Sequence, residues 1–531
     1  MTMERPLGAQ ISHALKDRGV DVIFGIPGVH NVEMYRGIEE AGITHILARH
    51  EQGAGFMADG FARATGRPGI AYVITGPGLC NIMTPMGQAT SDSVPMLVLS
   101  SCLERRDRSM ARGRLHEMKD QEAAAATVCD WSMTAPDGAA AFQLIDRAFA
   151  EFAAERPQAK HIQVPIDVLG ALSAPGPAPA SMPARAAAPQ AQVADVAAML
   201  AAAQRPLILA GGGAVAASAE IRALISRLNA ASFTTYAGRG IVAADAVLNF
   251  GSYLARPDSA DVIASADCVL ALGTELSETD LWRDHLGHAA PLIRVDIDAR
   301  ALNDQQQNDV KVNADCREFV AAILEILPAA TGQGWTMEEV AAARIKFRAA
   351  TEAERPGIAD IADAVMAALP AEVMVFSDMT QFAYVAKETV DMPAPGLWHH
   401  PFGFGTLGYA LPAAIGGKIG RPDCPVVAIA GDYGFHYTMQ ELGVAVEHGL
   451  PLPIILWDNG KLQEIESSMV ASQIAPNSVV ARNPDFCRLA EAFGAQSAAP
   501  GALSELPAVF AKAFAAKGPT LVYMSPDIRR D

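Results

Sequence analysis

Short, unbroken apolar runs rich in β-branched residues, each followed by an amphipathic helical stretch, recur along the chain and constrain its fold more than any other feature. DVIFGI (21–26), GIAYVITG (69–76), PMLVLSS (95–101) and KHIQVPI (160–166) form a first set. PLILAGGG (206–213), DCVLALG (267–273) and LIRVDID (292–298) form a second, and VMVFSD (373–378), PVVAIAGD (425–432) and LPIILWDN (452–459) a third. A strand with one wet face alternates apolar and polar residues, whereas a strand buried on both faces reads as a continuous apolar run. Runs of the second kind alternating with helices predict parallel sheets covered on both faces: an α/β protein of three doubly wound domains. At 531 residues the chain also exceeds what one core accommodates. Two seams divide it. The stretch SAPGPAPASMPARAAAPQAQ (173–192) is rich in prolines, which fix φ and lack the N–H that a regular element needs. A second seam lies between ILPAATGQGW near Leu327 and EAERPGIADIADAV near Pro356. The expected domains are residues 1–172, 190–328 and 356–531.

Charge and cysteine usage narrow the function classes. The balance of 41 basic and 59 acidic side chains gives −18, with no lysine- or arginine-rich block, which argues against nucleic acid or an anionic membrane as partner. Seven scattered cysteines without a C-x-x-C pair read as reduced, mostly buried thiols. The N-terminus opens on charged residues and an amphipathic helix rather than a signal-type apolar region, and no run reaches the 18 or so apolar residues of a membrane span. A cytoplasmic protein is expected.

Ligands of doubly wound domains sit outside the C-terminal ends of the strands. In GDYGFHYTMQELGVAVEHGLPLPIILWDNG (431–460), Asp432 follows one apolar run and Asn459 the next. The helical stretch between them is a right-handed crossover, so the two strands are expected to be neighbours. A carboxylate and an amide oxygen side by side suit a hard cation such as Mg²⁺, which binds through one or two carboxylates and substrate phosphates. On this segment alone the alternative stays open that Asp432 caps the following helix and Asn459 makes a turn with Gly460.

The segment RHEQGAGFMADGFARATGRPGIAYVITGPGLCNIMTPMGQATSDSVPMLVLS (49–100) places Glu51 after an apolar strand, ITHILARHE, and leads to the glycine turn Gly76-Pro77-Gly78. Together with GDYGF…LWDNG it resembles the thiamine-diphosphate-dependent enzymes, in particular the acetolactate synthase and 2-oxoacid decarboxylase group, over nearly the whole chain. The metal motif of that family reads Gly-Asp-Gly, about 26 residues, then Asn-Asn. Here Tyr433 replaces the second glycine and Asp458 the first asparagine, while both ligand positions are kept. The resemblance implies Mg²⁺ held by Asp432, Asn459 and the carbonyl of Lys461. It implies a diphosphate held by turn amides near Tyr433, Gly434, Thr380 and Gln381, with Gly76 in the cofactor cleft of the first domain. Glu51 corresponds to the glutamate that bonds the pyrimidine N1′ and promotes the reactive tautomer. Leu407, in FGFGTLGYALPAAIG, corresponds to the bulky apolar residue that bends the cofactor. It further implies sites shared between the first domain of one chain and the third domain of another, in a homodimer or a dimer of dimers (a homotetramer).

Acetolactate synthases hold FAD in the central domain. LILAGGGAVAASAE (207–220) is glycine-rich but lacks G-x-G-x-x-G, so a structural role is expected there, with a bound nucleotide as the alternative. In FGIPGVHNVE, Val29 and His30 fall on the loop that faces the thiazolium in relatives, and in RGRLHEMKDQE His116 falls near a glutamine beside the reacting carbon. Either histidine is a candidate proton donor, since imidazole titrates nearest neutrality. The pair His399-His400 reads as structural. In KLQEIESSMV, Glu464 and Glu466 stand in the pocket-lining segment, with Ser468 where acetolactate synthases carry a tryptophan. Carboxylates there suit a cationic substrate tail, for which a guanidinium is the natural bidentate partner. The pattern most resembles the 5-guanidino-2-oxopentanoate (2-ketoarginine) decarboxylases. The expected activity is non-oxidative decarboxylation of a 2-oxoacid to an aldehyde and CO₂. A carboligase of the acetolactate synthase kind is the alternative, and a catalytically idle relative is disfavoured by the retention of Glu51, Asp432 and Asn459.

Overall fold

The computed structural model describes residues 4–307, 309–328 and 334–531, so residues 329–333 of the second seam lie outside it. As the apolar runs predict, three parallel sheets, each covered by helices, follow one another along the chain. The first has six strands in the spatial order Thr44–Leu47, Val22–Gly25, Gly69–Val73, Met96–Cys102, Lys160–Pro165 and Trp131–Thr134. The second has five, in the order Ala231–Thr234, Pro206–Ala210, Cys268–Leu272, Leu292–Asp296 and Val310–Asn313. The third has six: Trp398–His399, Met374–Ser377, Val426–Gly431, Pro453–Trp457, Thr520–Met524 and Gln496–Ala498. A two-stranded antiparallel pair, Arg5–Pro6 with Leu172–Ser173, joins the two ends of the first unit.

The three sheets share one winding. In each, the second strand in sequence lies on one side of the first and the third strand on the other, so the chain reverses direction between the first and third strands. Crevices for ligands open at such switch points. They fall here beside Gly25 and Val73, beside Ala210 and Leu272, and beside Ser377 and Gly431. The inner strands are buried on both faces. Each fully buried Ile, Leu or Val contributes roughly 1.5–3 kcal/mol, which makes the sheets the rigid part on which loops at the switch points are mounted.

The first and third units pack directly against each other through the helices Glu51–Thr65 and Ala410–Gly420. Their backbones approach so closely that a Cβ on Gly60 would strike the Ala413 carbonyl and one on Gly416 the Met57 carbonyl. A buried polar clamp flanks this contact. Arg63 donates to Asp59 (2.7 Å) and Asp92 (2.8 Å), and the Tyr409 hydroxyl donates to Asp59 (2.8 Å). Asp92 also accepts the amides of Phe402 (3.1 Å) and Gly403 (2.8 Å), while Gln88 accepts the Thr406 hydroxyl (2.8 Å). Removing one partner of such a buried ion pair costs about 3–5 kcal/mol, so the loop 402–409, which carries Leu407, is held firmly by the first unit.

Candidate active site

At the switch point of the first sheet, Asn31 is fully buried, accepts the Gly28 amide (2.6 Å) and donates to the Ile26 carbonyl (3.2 Å). This closes the loop and turns Val29 outward, 67% exposed, with His30 beside it. The structure brings His30 and His116 together, ring centroids 4.9 Å apart and edge to face. Burial, with His116 close by, pushes the His30 imidazole below its ordinary range. His116 has φ 61°, a left-handed conformation that costs a bulky residue of order 1 kcal/mol and is kept where the surroundings enforce it. Its carbonyl lies against Gly76, which itself has φ +72°. Glu51 opens the helix Glu51–Thr65, is 8% exposed, and accepts a hydrogen bond from Asn81 (2.9 Å). A Cβ on Gly78 would come within 3.2 Å of its carboxylate, so the glycine turn lies directly against Glu51. Gln121, not singled out by the sequence reading, accepts the Gly76 amide (3.0 Å) and donates to Ser100, the Ser101 carbonyl and Gln163. It lies five residues beyond His116, within reach of a search for buried amides beside that motif.

In the third sheet Gly431 pairs with Trp457, so Asp432 and the Asp458-Asn459 pair leave adjacent strand ends as the crossover predicted. Asp432 is nearly fully buried and starts the helix Asp432–Thr438. Burial, reinforced by the neighbouring Asp458 carboxylate, pushes it above the ordinary carboxylate range. Asn483 donates to both Asp432 (2.7 Å) and Asp458 (2.8 Å) and ties the two strand ends together. Nothing in its local sequence, ARNPDF, signals that role. Asn459 donates to Gln381 (3.3 Å) and accepts the Lys461 amide (3.3 Å), and Gln381 donates to Glu464 (3.2 Å). Thr380 is buried against Gly431. Asp378, at the end of the first strand, is fully enclosed and accepts the amides of Met379 (2.8 Å) and Gly408 (2.9 Å). Desolvation raises it to about 6. A Cβ on Gly434 would run into this carboxylate, so the turn carrying Tyr433 and Gly434 lies directly on Asp378. Asp378 ends the run VMVFSD as Asp432 ends PVVAIAGD, a parallel that could have marked it.

The carboxylates of Glu464 and Glu466 already have partners. Glu464 receives Arg355 through Nε (3.1 Å) and Nη2 (3.0 Å), and Glu466 receives Lys461 (2.6 Å) and Gln463 (3.0 Å). His399 and His400 are buried and held strongly neutral by desolvation, His399 packing on Phe376 and His400 bonding Ser377 (3.0 Å). In the central unit the glycine run spends its amides on protein carbonyls: Gly211 bonds Leu272 (2.9 Å) and Gly213 bonds Gly273 (2.9 Å). Beside it opens a cavity of about 620 Å³, lined among others by Arg156, Gly212, Asp280 and Asp296.

Comparison with known proteins assigns each of the three units. Residues 5–124 match the thiamine pyrophosphate enzyme N-terminal TPP binding domain, 193–323 the central domain, and 378–524 the C-terminal TPP binding domain. A probable 2-ketoarginine decarboxylase, AruI, of Pseudomonas aeruginosa is 44% identical over 97% of this chain and 93% of its own length. The chain belongs to the thiamine pyrophosphate enzymes. The acetolactate synthase isozyme 2 large subunit of Escherichia coli is 28% identical over 98% of this chain and 95% of its own. The large subunit of Corynebacterium glutamicum acetolactate synthase is 29% identical over 92% and 82%.

The residues present fit what such an enzyme binds. Asp432 and Asn459 offer oxygen donors at adjoining strand ends, the donor type that suits Mg²⁺ with a diphosphate. Among the described residues no group of three or more His, Cys, Asp or Glu side chains forms a metal cluster. The side-chain oxygens gathered at these strand ends include one carboxylate, Asp432, and one amide, Asn459. Among the described residues, too, no helix is long and apolar enough to cross a membrane.

Proposed function

We propose that this thiamine-diphosphate-dependent enzyme decarboxylates a 2-oxoacid without oxidation, releasing an aldehyde and CO₂, and that its substrate carries a cationic, guanidino-type tail as in 5-guanidino-2-oxopentanoate. The observation that carries the reaction class is the joint presence of Glu51, buried against the Gly76–Gly78 turn, and of Asp432 and Asn459 at adjoining strand ends. The likeness to the AruI protein carries the choice of decarboxylation and of substrate.

In this reading Asp432, Asn459 and the Lys461 carbonyl hold Mg²⁺, and the turns at Thr380-Gln381 and Tyr433-Gly434 hold the diphosphate. Bound thiamine diphosphate supplies the nucleophilic carbon and the electron sink for loss of CO₂. Glu51 holds the proton at the pyrimidine N1′, and Leu407 supports the bent cofactor. His30 and His116, in contact with each other, deliver the proton that replaces the departing carboxylate on the carbonyl carbon. Val29 forms an apolar wall, and Glu464 and Glu466 face the substrate tail.

Glu51 and Asp432 stand on different domains, and exposed apolar side chains mark both catalytic edges. Val29, Val32, Met110 and Leu115 lie on the first unit, and Tyr437, Ile465, Val470 and Ile474 on the third. A second copy covering these edges would remove them from water, which supports a homodimer or dimer of dimers with shared sites. The full-length likeness to acetolactate synthases keeps a carboligase as the second reading. A panel of 2-oxoacids assayed for CO₂ release with thiamine diphosphate and Mg²⁺ tests the proposal. Preference for pyruvate, with acetolactate as the product, would replace it by the second reading.

A further inference from the structure

The turn that carries Glu51 is held from outside its own domain. Glu441 of the third unit is fully buried, and both its carboxylate oxygens accept the Arg49 amide (3.2 and 3.0 Å). The His50 amide bonds the same carboxylate. These two N–H groups immediately precede the helix Glu51–Thr65, where a chain has amides without helical partners and where negative charge is favoured. Space is made for the acid: a Cβ on Gly53 would collide with the Glu441 carboxylate. Glu441 follows Asp432 by nine residues on one continuous segment, the helix Asp432–Thr438 and the turn Met439–Glu441.

We propose that Glu441 is a positioning residue, setting the main chain beneath Glu51 so that its carboxylate meets the cofactor in the correct orientation. The inference rests on the role given to Glu51 above. The charged and titratable groups facing Glu441 are Glu51 and Arg49, whose guanidinium turns away to Glu447 (2.5 Å) and the Leu47 carbonyl (2.8 Å). His50 uses its ring Nδ1 to accept the Gln52 amide (3.1 Å). Burial is the main cause that pushes Glu441 up to about 7, and the nearby Glu51 adds to it. Loss of Glu441 therefore alters both the geometry and the field at Glu51.

The test has two arms. In the chain without cofactor, hydrogen exchange of the amides of residues 49–53 is compared among wild type, Glu441→Gln and Glu441→Ala. Exchange is expected to quicken at least about tenfold in the alanine variant and less in the glutamine variant, whose oxygen still accepts one amide. With thiamine diphosphate and Mg²⁺ bound, hydrogen–deuterium exchange at cofactor C2 is followed against pH. It is expected to fall about tenfold or more in Glu441→Ala, with partial rescue in Glu441→Gln and cofactor affinity within about threefold of wild type. Unchanged amide protection overturns the proposal. So does lost protection with wild-type C2 exchange and pH profile, since Glu441 would then be a cap and nothing more. If the alanine variant does not fold, the near-isosteric glutamine variant decides both arms. A wild-type chain that fails to accelerate C2 exchange refutes the role of Glu51 itself, and the cofactor-free arm still decides whether Glu441 orders the turn.

Discussion

Replacing Glu464 by Gln tests the proposed recognition of a cationic tail most sharply, because the structure shows what else that carboxylate does. Arg355 grips it bidentately at 3.1 and 3.0 Å, and Gln381 adds a third donor at 3.2 Å. Of the two oxygens, Oε1 accepts both Arg355 Nε and Gln381, whereas Oε2 accepts only Arg355 Nη2, which leaves Oε2 the freer of the two for a substrate guanidinium. A charge-assisted hydrogen bond contributes about 1.5–3 kcal/mol. The Glu464 side chain is 38% exposed, so solvent screening draws the expected value to the lower end, near 1.5 kcal/mol, or about tenfold in kcat/KM. The variant also removes one of the two carboxylates paired with Arg355, the other being Glu354 (2.6 Å), which disturbs this corner for every substrate. The informative quantity is therefore the ratio of kcat/KM for 5-guanidino-2-oxopentanoate to that for 2-oxohexanoate, whose tail is uncharged, from CO₂ release. It should fall about tenfold in Glu464→Gln. Arg355→Met is the control. By freeing the carboxylate it should raise the same ratio, and in the double variant the gain should vanish. Equal losses on both substrates in Glu464→Gln would refute the reasoning and assign Glu464 to the Arg355 pair alone.

Three further outcomes are expected. Asp432→Ala should abolish the thermal stabilisation that thiamine diphosphate and Mg²⁺ give the wild type, about 2.7 kcal/mol at a hundredfold excess over Kd, as read from melting with and without ligands. Glu51→Gln keeps an oxygen for Asn81 and should bind cofactor nearly as wild type, while C2 hydrogen–deuterium exchange slows by about 10²–10⁴-fold. His161 lies fully buried between the hydroxyls of Ser100 (2.8 Å) and Ser132 (2.7 Å), and desolvation lowers it to about 3. Below pH 6.5 the unfolded imidazole binds a proton that the native one refuses, so its contribution to stability is present at neutral pH and is lost as pH falls toward 3. In urea unfolding, the stability advantage of wild type over His161→Gln should accordingly shrink by about 1.2 kcal/mol between pH 6 and 5.

What the sequence revealed of this fold was what local patterning can carry. Both-face burial writes itself into a strand as an unbroken apolar run, so the inner strands were readable. The short edge strands Trp131–Thr134, Trp398–His399 and Gln496–Ala498 are too brief to show a period. Thr520–Met524 (TLVYM) does carry the apolar signature and lies within the third sheet, yet the motif-led reading passed over it. The same distinction separates the candidate site residues from those that hold them. Asp432 and Asn459 advertise themselves because each follows its strand directly, and the crossover between them makes those strands neighbours. Their supports come from elsewhere in the chain: Asn483 is 51 residues from Asp432, Arg355 is 109 from Glu464, and Glu441 is 392 from Arg49. No local pattern encodes such pairings, because each partner alone satisfies an ordinary local role, as a loop amide, a seam arginine or a helix-flanking acid. Glu464 illustrates the consequence. The proposed site sets it beside the substrate tail, but whether its charge is available there depends on Arg355, which enters from the seam before the third unit. The specificity of such a site is thus decided as much by the residue that already occupies the carboxylate as by the carboxylate itself.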